Sequence, residues 1–114
     1  DIDIALDTFP YNGTTTTFDA LWMGTPVITL RGDRHAARVG ASILTHLGLP
    51  ELIAEDRDAY IRAAVSLAGD VDRCRNYSVG LRDRMRASPL LDADRFARGI
   101  EKTYRDKWNI CCRG

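Results

Sequence analysis

The sequence predicts the closing half of a doubly wound α/β domain, in which parallel strands alternate with helices. Two observations predict this fold class. Three short apolar segments alternate with segments of helical periodicity in the order strand, helix, strand, helix, strand, and only helical patterns follow the third strand. We therefore expect a short sheet of three parallel strands with five helices. An exposed strand edge is a pairing hazard, so we expect upstream strands of a parent chain to cover the edge of the first strand.

The strand predictions rest on short apolar runs that end in residues typical of turns. The first run covers residues 2–7 and leads into a loop rich in turn formers, which extends to Gly13. The second, over residues 26–30, is β-branched and almost continuously apolar, as expected of a parallel strand covered on both faces. The third is brief and covers residues 52–54.

Apolar residues at helical spacing predict the five helices. The first three end before Gly24, Gly48 and Gly69, because glycine suits the residue that follows a helix. Ser78 and Gly80 weaken the prediction of the fourth helix. The predicted apolar faces comprise Phe18, Leu21 and Trp22; Ala36, Val39, Ile43, Leu44 and Leu47; Ile61, Ala64, Val65 and Ala68; Val71, Cys74, Leu81 and Met85; and, after an N-cap at Asp92, Phe96, Ile100, Tyr104 and Trp108.

Composition excludes several classes of protein. The 114 residues contain 16 Lys and Arg against 16 Asp and Glu, so the formal net charge of zero argues against nucleic-acid binding and against a polybasic membrane anchor. No apolar run approaches the roughly 20 residues of a membrane-spanning helix. The chain starts without Met or a signal peptide, which predicts a piece of a longer cytoplasmic protein. Three cysteines, two of them adjacent, suit neither a disulfide framework nor a paired Cys-x-x-Cys zinc site, so no metal is expected.

The loop after the first strand, residues 9–17, has the residue types of an anion site. In an open α/β sheet, ligands bind beyond the carboxyl ends of the strands. Gly13 allows close backbone approach, the first helical turn offers unpaired N–H groups, and Thr14, Thr15 and Thr16 add hydroxyls. The loop has no Lys or Arg, which distinguishes it from a Walker A loop, and too few glycines for a dinucleotide turn. A solvated turn explains the threonines nearly as well.

Asp19 has two interpretations. One turn inside the predicted helix, its carboxylate is placed to accept hydrogen bonds from a ribose diol. The spacing from Thr16 also matches a capping box, in which Asp19 only satisfies the backbone at the helix start. Spacing alone favours the capping box.

Other polar and aromatic residues are weaker candidates. Arg31, Arg34, His35 and Arg38 follow the second strand, where an arginine can steady a diphosphate, although arginines in such loops are more often solvated. His46 is expected to interact with the end of its own helix. The remaining expectations are structural: core or interlobe anchors at Trp22 and Trp108, an inert core thiol at Cys74, and a frayed tail at Cys111 and Cys112.

The motif Leu6-Asp7-Thr8-Phe9-Pro10-Tyr11-Asn12-Gly13-Thr14-Thr15-Thr16-Thr17-Phe18-Asp19, with the segment that follows it to residue 42, resembles the C-terminal catalytic region of O-linked N-acetylglucosaminyltransferases and their SPINDLY-like relatives. The similarity continues through residues 47–54 and 88–90 to the last helix. It implies a GT-B glycosyltransferase of two Rossmann-like lobes, usually preceded by tetratricopeptide repeats. This chain resembles the last part of the C-terminal lobe, with an α/β part over about residues 1–54 and a helical part over about residues 55–110.

The resemblance also implies roles for individual residues. Thr15 and Thr16 are expected on the donor diphosphate and Asp19 on the ribose, which raises the ribose interpretation above the capping box. Thr14 stands where the animal enzymes have a histidine, so a hydrogen-bonding group is kept and imidazole chemistry is lost. Arg38 falls inside the matched segment and joins the candidate donor-binding residues. The resemblance assigns no catalytic base within these residues, and the family's diphosphate-binding lysine lies upstream of residue 1.

The function implied is inverting transfer of a sugar from a nucleotide donor to a Ser or Thr hydroxyl of a protein. UDP-N-acetylglucosamine is the favoured donor, and UDP-glucose and GDP-fucose remain open. The expected partners are the upstream lobe, tetratricopeptide repeats of the same parent chain and a protein acceptor, and the fragment alone is expected to be inactive. The alternative is a noncatalytic α/β module that serves as a scaffold or docking piece.

Overall fold

Three parallel strands form the centre of the computed structural model, which describes residues 2–113. Strand β1 (Ala5–Leu6) and strand β3 (Ile53–Ala54) flank the longer strand β2 (Val27–Leu30), in the order β1-β2-β3. Because all three run parallel, their carboxyl ends share one edge of the sheet. The predicted α/β class with a short parallel sheet is confirmed. The paired residues are Ala5 with Val27, Leu6 with Ile28, Thr29 with Ile53 and Leu30 with Ala54.

Five α-helices surround and extend this sheet: α1 (Thr15–Trp22), α2 (Val39–His46), α3 (Arg57–Ala68), α4 (Val71–Arg86) and α5 (Ala93–Arg113). Their order along the chain is the predicted one. Short 3₁₀ turns cover His35–Ala37, Pro50–Leu52 and Pro89–Leu91.

The start of the second helix was predicted too early. Residues His35–Ala37 form a separate 3₁₀ turn, and Arg38 has φ −123° and ψ −3°, which is outside the α-helical region. Helix α2 therefore begins only at Val39. The apolar spacing placed Ala36 in the second helix, because side chains three residues apart also share a face in a 3₁₀ turn.

The hydrophobic core lies between the sheet and the helices α1 to α4. Leu21 of α1, Ile28 of β2 and Leu44 of α2 are fully buried in it. Leu81 and Met85 of α4 close the same cluster, which fixes the fourth helix against the α/β part. Burial of such side chains stabilises a fold by about 1.5–3 kcal/mol each. The cluster is completed by Val27, Ile43, Leu47, Leu49, Leu52 and Leu67.

Helix α4 contacts α1 and α2 at their C-terminal ends, away from the carboxyl edge of the sheet. Arg82 Nε donates a 2.9 Å hydrogen bond to the Trp22 carbonyl, and Arg84 donates a longer one, 3.4 Å, to the Gly48 carbonyl. The Trp22 ring lies against two guanidinium groups, those of Arg82 and Arg86, at 5.4 Å and 5.3 Å from the ring centroid. Trp22 therefore anchors α1 to α4 from a partly exposed position on the surface.

Two glycines end α1 and α2 with positive φ, and their surroundings differ. Gly24 has φ +87°, and a Cβ there would lie 2.5 Å from the Ser78 carbonyl oxygen. Gly48 has φ +67°, with nothing within 4 Å of such a Cβ. Ser78 lies inside the continuous helix α4, although its residue type weakened the prediction of that helix. Its backbone contacts Gly24 at the end of α1.

Gly24→Ala should therefore cost about 3 kcal/mol of unfolding free energy, the sum of a left-handed backbone and a steric clash. Gly48→Ala is the matched control and should cost about 1 kcal/mol, because only the backbone term applies. Urea unfolding followed by circular dichroism measures both. Equal costs would contradict close packing of α4 on the end of α1.

Helix α5 differs from the other helices because its apolar side chains are exposed. As predicted, Asp92 precedes the helix and its carboxylate accepts a 2.9 Å hydrogen bond from the Arg95 amide. Phe96, Tyr104 and Trp108 are each at least 70% exposed. Of the two roles predicted for Trp108, a core position is therefore wrong within this chain, and an interlobe anchor stays a prediction. Cys111 lies in the helix, as does Cys112, so the predicted frayed tail is also wrong. Within residues 2–113, no helix is long and apolar enough to span a membrane.

Candidate functional site

Three junctions between a strand and a following helix meet at the carboxyl edge of the sheet. Strand β1 leads through residues 7–14 into α1, β2 leads through residues 31–38 into α2, and β3 leads through residues 55–56 into α3. Ligands of open α/β sheets bind at this edge, because helix N-termini and mobile side chains gather there. We call residues 7–14 the β1–α1 loop.

The carboxylate of Asp7, the first residue of the β1–α1 loop, ties the rest of this loop to the sheet. Asp7 is 7% exposed, and its two carboxylate oxygens accept from different parts of the fold. Oδ1 accepts a 2.8 Å hydrogen bond from the Gly13 amide, and Oδ2 accepts one of 2.7 Å from the hydroxyl of Thr29 in β2. The backbone of Asp7 also pairs with β2, through a 2.9 Å bond from its amide to the Ile28 carbonyl. One carboxylate thus joins the sheet to the loop.

Gly13 is fixed on both sides. Its amide donates to Asp7, and its carbonyl accepts a 3.0 Å hydrogen bond from the hydroxyl of buried Thr17. A Cβ at Gly13 would lie 2.5 Å from the Thr16 hydroxyl and 3.0 Å from that of Thr17. The missing side chain therefore makes room for both hydroxyls, a role that sequence reasoning described only as close backbone approach.

The run of four threonines divides into one structural and three exposed residues. Thr17 is buried, whereas Thr14, Thr15 and Thr16 are exposed at the start of α1. Thr14 is the N-cap residue and no side chain caps the helix. The first intrahelical bond runs from the Phe18 amide to the Thr14 carbonyl at 3.0 Å, so the preceding amides of the first turn point out of the helix without an intrahelical acceptor. The three exposed hydroxyls and these amides therefore lie together at the start of α1, at the carboxyl edge of the sheet.

The capping-box interpretation of Asp19 does not fit the structure. A box would need Thr16 as N-cap, and the helix already begins at Thr15 with Thr14 as N-cap. Asp19 is five positions after that N-cap and is exposed, beyond the reach of the backbone at the helix start. Thr15 and Thr16 lie four and three residues before Asp19, which places all three side chains on one face of α1.

Asn12 links the β1–α1 loop to the next junction. Its side chain is 1% exposed, donates a 2.9 Å hydrogen bond to the Thr8 carbonyl and accepts a 3.3 Å one from the Gly40 amide of α2. The Asn12 backbone amide also donates to the Ala36 carbonyl at 2.8 Å. These three bonds hold the starts of α1 and α2 together, and Arg38, the N-cap residue of α2, stands exposed beside them.

The cations of the second junction are not equivalent. Arg31 forms a 2.9 Å ion pair with Glu55, so its guanidinium is already engaged. Arg34, His35 and Arg38 are exposed at the junction that follows β2, where the sequence placed them. His46 lies elsewhere, at the C-terminal end of α2: its Nδ1 is 2.8 Å from the carbonyl of Ser42, one turn earlier, so it interacts with its own helix.

Helix α3 supports the β1–α1 loop from a third side. The Tyr60 hydroxyl donates a 2.8 Å hydrogen bond to the Asp7 carbonyl, and its ring meets that of Phe9 edge to face at 5.7 Å. The guanidinium of Arg57 lies 5.6 Å from the Phe9 ring centroid. Burial, assisted by the nearby negative charge of Asp7, raises the pKa of Tyr60. The phenol therefore stays protonated and keeps donating across the physiological pH range.

The space enclosed at the site is small. A cleft of about 150 Å³ lies between β1 and α1, with Asp7, Gly13 and Thr16 among its lining residues. Drug-sized ligands occupy pockets of roughly 300–1,000 Å³. This cleft is therefore too small on its own to enclose a ligand of that size. Within residues 2–113, no three His, Cys, Asp or Glu side chains are grouped closely enough to hold a metal ion.

Sequence reasoning named the candidate binding residues at this edge and missed the residues that support them in the fold. Asp7 and Asn12 were interpreted only as turn formers, and Thr29, Gly40 and Tyr60 were not singled out. Their partners lie 22 to 53 residues away in the chain, which no local pattern reveals. The available signal was weak: an Asp at the end of a strand and one hydroxyl residue inside the apolar strand β2.

Comparison with known proteins places this chain in a family. The profile described as glycosyl transferase family 41 matches residues 2–100. The chain is 50% identical over 113 residues to a protein of Eustoma exaltatum subsp. russellianum named probable UDP-N-acetylglucosamine–peptide N-acetylglucosaminyltransferase SPINDLY, and 46% identical to its Arabidopsis thaliana namesake. Each alignment covers 99% of this chain and 12% of the relative, so the chain spans about an eighth of their length. A mutant O-GlcNAc transferase of Thermobaculum terrenum has a matching structure, with a TM-score of 0.91, 40% identity, and coverage of 99% of this chain and 22% of that one.

Proposed function

Because the chain belongs to glycosyl transferase family 41, we propose that it is the donor-binding part of the C-terminal lobe of a GT-B glycosyltransferase. Its α/β part spans about residues 1–54 and its helical part about residues 55–110. The complete enzyme transfers a sugar, N-acetylglucosamine in our proposal, from a UDP-sugar to a Ser or Thr hydroxyl of a protein. The observation that carries the proposal is the uncapped start of α1, with Thr14, Thr15 and Thr16 exposed at the carboxyl edge of the sheet.

The donor diphosphate binds at the start of α1. Backbone amides of the first turn and the hydroxyls of Thr15 and Thr16 donate to phosphate oxygens, and Thr14 and the backbone at Gly13 border the same space. The partial positive charge of the helix N-terminus adds to these bonds. Such donors strengthen as negative charge develops on the departing diphosphate. The bond from the anomeric carbon to the β-phosphate oxygen breaks, the acceptor oxygen bonds to that carbon, and the proton of the acceptor hydroxyl passes to the UDP product or to water.

Asp19 binds the ribose of the donor. It is exposed and shares one face of α1 with Thr15 and Thr16. Side chains three or four residues apart on a helix have Cβ atoms about 5–6 Å from each other, a spacing comparable to that between the diphosphate and the ribose hydroxyls of a nucleotide. A carboxylate that accepts from a ribose diol gives strong, charge-assisted hydrogen bonds.

Arg38 supplies positive charge to the same site. It is exposed at the start of α2, which Asn12 holds next to the β1–α1 loop. An arginine pairs with phosphate oxygens through two parallel hydrogen bonds. In this proposal, Arg38 approaches the diphosphate from α2 while the threonines approach from α1.

The remaining walls of the site come from partners of this chain. The upstream lobe of the parent protein supplies the opposite side of the cleft, and tetratricopeptide repeats and a protein acceptor complete the proposed assembly. The solved relative, of which this chain covers 22%, supports a larger parent. The apolar stripe of α5, namely Phe96, Ile100, Tyr104 and Trp108, docks on that lobe in our proposal. We place the enzyme in the cytoplasm, where unpaired cysteines such as Cys74, Cys111 and Cys112 are typical.

Titration calorimetry tests the proposed function on a protein that contains both lobes. We expect UDP to bind with measurable affinity and more tightly than GDP. The double substitution Thr15→Val and Thr16→Val, which removes two hydroxyls and keeps the side-chain shape, should weaken UDP binding by about tenfold. If neither nucleotide binds to the wild-type protein, the donor site is refuted and a noncatalytic docking module explains the fold better.

A further inference from the structure

The buried Asp7 carboxylate is satisfied by neutral donors alone. Its oxygens accept from the Gly13 amide and the Thr29 hydroxyl, and no Lys or Arg side chain among residues 2–112 pairs with it. A carboxylate removed from water is costly unless hydrogen bonds replace those it loses. Apolar side chains of similar size at positions 7 and 29 would fill the space without that cost. The distinctive contribution of the carboxylate is therefore the bond that it makes to the loop.

The surroundings of Asp7 leave its carboxylate little freedom. A Cβ at Gly40 would collide with Asp7 Oδ2 and with the Thr29 hydroxyl, so α2 packs directly on both groups. Thr29 is fully buried in β2. On the other side, the Asp7 carbonyl accepts the hydrogen bond from Tyr60 of α3. Two strands and two helices thus determine where the carboxylate lies.

From this fixed position, Asp7 determines how α1 begins. Gly13 comes directly before the N-cap residue Thr14, and its amide is turned inward to Asp7 Oδ1 at 2.8 Å. The Thr17 hydroxyl holds the carbonyl of the same glycine. With both groups of Gly13 fixed, the axis of α1 and the direction of its first-turn amides are fixed too.

We propose that Asp7 is a positioning residue for the donor site, an inference that rests on the proposed function. Asp7 is 7% exposed, and both of its carboxylate oxygens already accept hydrogen bonds within the fold. In this proposal it acts through Gly13, by aiming the free amides of α1 and the hydroxyls of Thr15 and Thr16 at the diphosphate. Thr29 holds the carboxylate on the sheet side.

The test uses a protein that contains both lobes, with UDP as the calorimetric probe. Asp7→Ala should weaken UDP binding by about tenfold, the effect of losing one strong hydrogen bond that orders the site. Asp7→Asn should restore affinity to within about threefold of wild type, because its amide oxygen still accepts from Gly13 and its NH₂ group donates to Thr29. Ser88→Ala is the control: it removes a buried hydroxyl that donates to the Met85 carbonyl at the end of α4, away from the carboxyl edge of the sheet, so it should lower stability while UDP affinity stays within about twofold.

If Asp7→Ala does not fold, Asp7→Ser replaces it, since the serine hydroxyl keeps a polar group in the buried space and is too short to reach the Gly13 amide. Unchanged UDP affinity in the folded variant would overturn the inference. So would a loss of affinity in Ser88→Ala that matches its loss of stability, because the effect at Asp7 would then be one of stability alone. If the wild-type protein itself fails to bind UDP, the proposed function is what fails, and the two failures are distinguishable.

Discussion

In a protein with both lobes, replacing Asp19 by alanine is expected to weaken UDP binding by about 10- to 100-fold and to leave thermal unfolding unchanged. The carboxylate is exposed and lies outside the N-terminal capping positions of α1, so its removal costs the fold little. Its loss removes a charge-assisted bond to the ribose, which accounts for the affinity change. Calorimetry with UDP and a thermal melt of the same sample measure the two quantities.

Asp58→Ala provides the matched control. Asp58 is an exposed carboxylate in the first turn of α3, at the same edge of the sheet, so its removal changes the local charge equally. UDP affinity should stay within about twofold of wild type, because Asp58 lies on α3 rather than α1, has no role in the proposed donor contacts, and its exposed charge is screened by solvent and salt. If Asp19→Ala lowered the melting temperature and left affinity unchanged, Asp19 would be a structural residue and the ribose role would be wrong.

The second large effect is expected on helix α5. Trp108→Ala should destabilise the two-lobed protein by about 3–5 kcal/mol, the usual cost of truncating a buried tryptophan. Trp108 is 71% exposed in residues 2–113, where such a truncation would cost little. A loss of stability of this size would therefore show that Trp108 is buried against the upstream lobe. Chemical denaturation of the two-lobed protein measures it.

Lys102→Ala is the control for α5, because Lys102 lies on the opposite side of the helix from Trp108, near Arg98 and Asn109. Its cost should be within about 0.5 kcal/mol of zero, as for most surface substitutions. A small effect of Trp108→Ala, equal to that of Lys102→Ala, would show that the apolar stripe of α5 does not dock on the upstream lobe.

Much of the fold follows from local patterns in the sequence. The apolar run before Arg31 predicted β2, and helical spacing with a glycine after it predicted α1. Asp92 signalled the start of α5, and its carboxylate accepts from the Arg95 amide as an N-cap should. These features are local, since each depends on residues within one turn or one short strand.

Other features depend on contacts that sequence spacing does not contain. Residues 35–38 leave the helical path before α2, where Asn12 binds the Ala36 carbonyl and the Gly40 amide. Helix α4 runs unbroken past Ser78, whose backbone packs against Gly24. In both places, tertiary packing overrides intrinsic propensity.

The candidate site, like the fold, was predicted only where its residues are close together in the sequence. The candidate binding residues Thr14, Thr15 and Thr16 are neighbours in sequence, and the prediction of a helix start there is confirmed. The residues that hold them come from separate strands and helices: Asp7 in the loop after β1, Thr29 in β2 and Tyr60 in α3. Only the folded chain brings their polar atoms within hydrogen-bonding distance.

The most direct test of donor binding is a crystal structure of the two-lobed protein with UDP. We predict diphosphate oxygens at about 3 Å from the backbone amides of Thr15 and Thr16, and a ribose hydroxyl within hydrogen-bonding distance of the Asp19 carboxylate. UDP bound with its diphosphate out of reach of the start of α1 would contradict the assignment of this edge as the donor site.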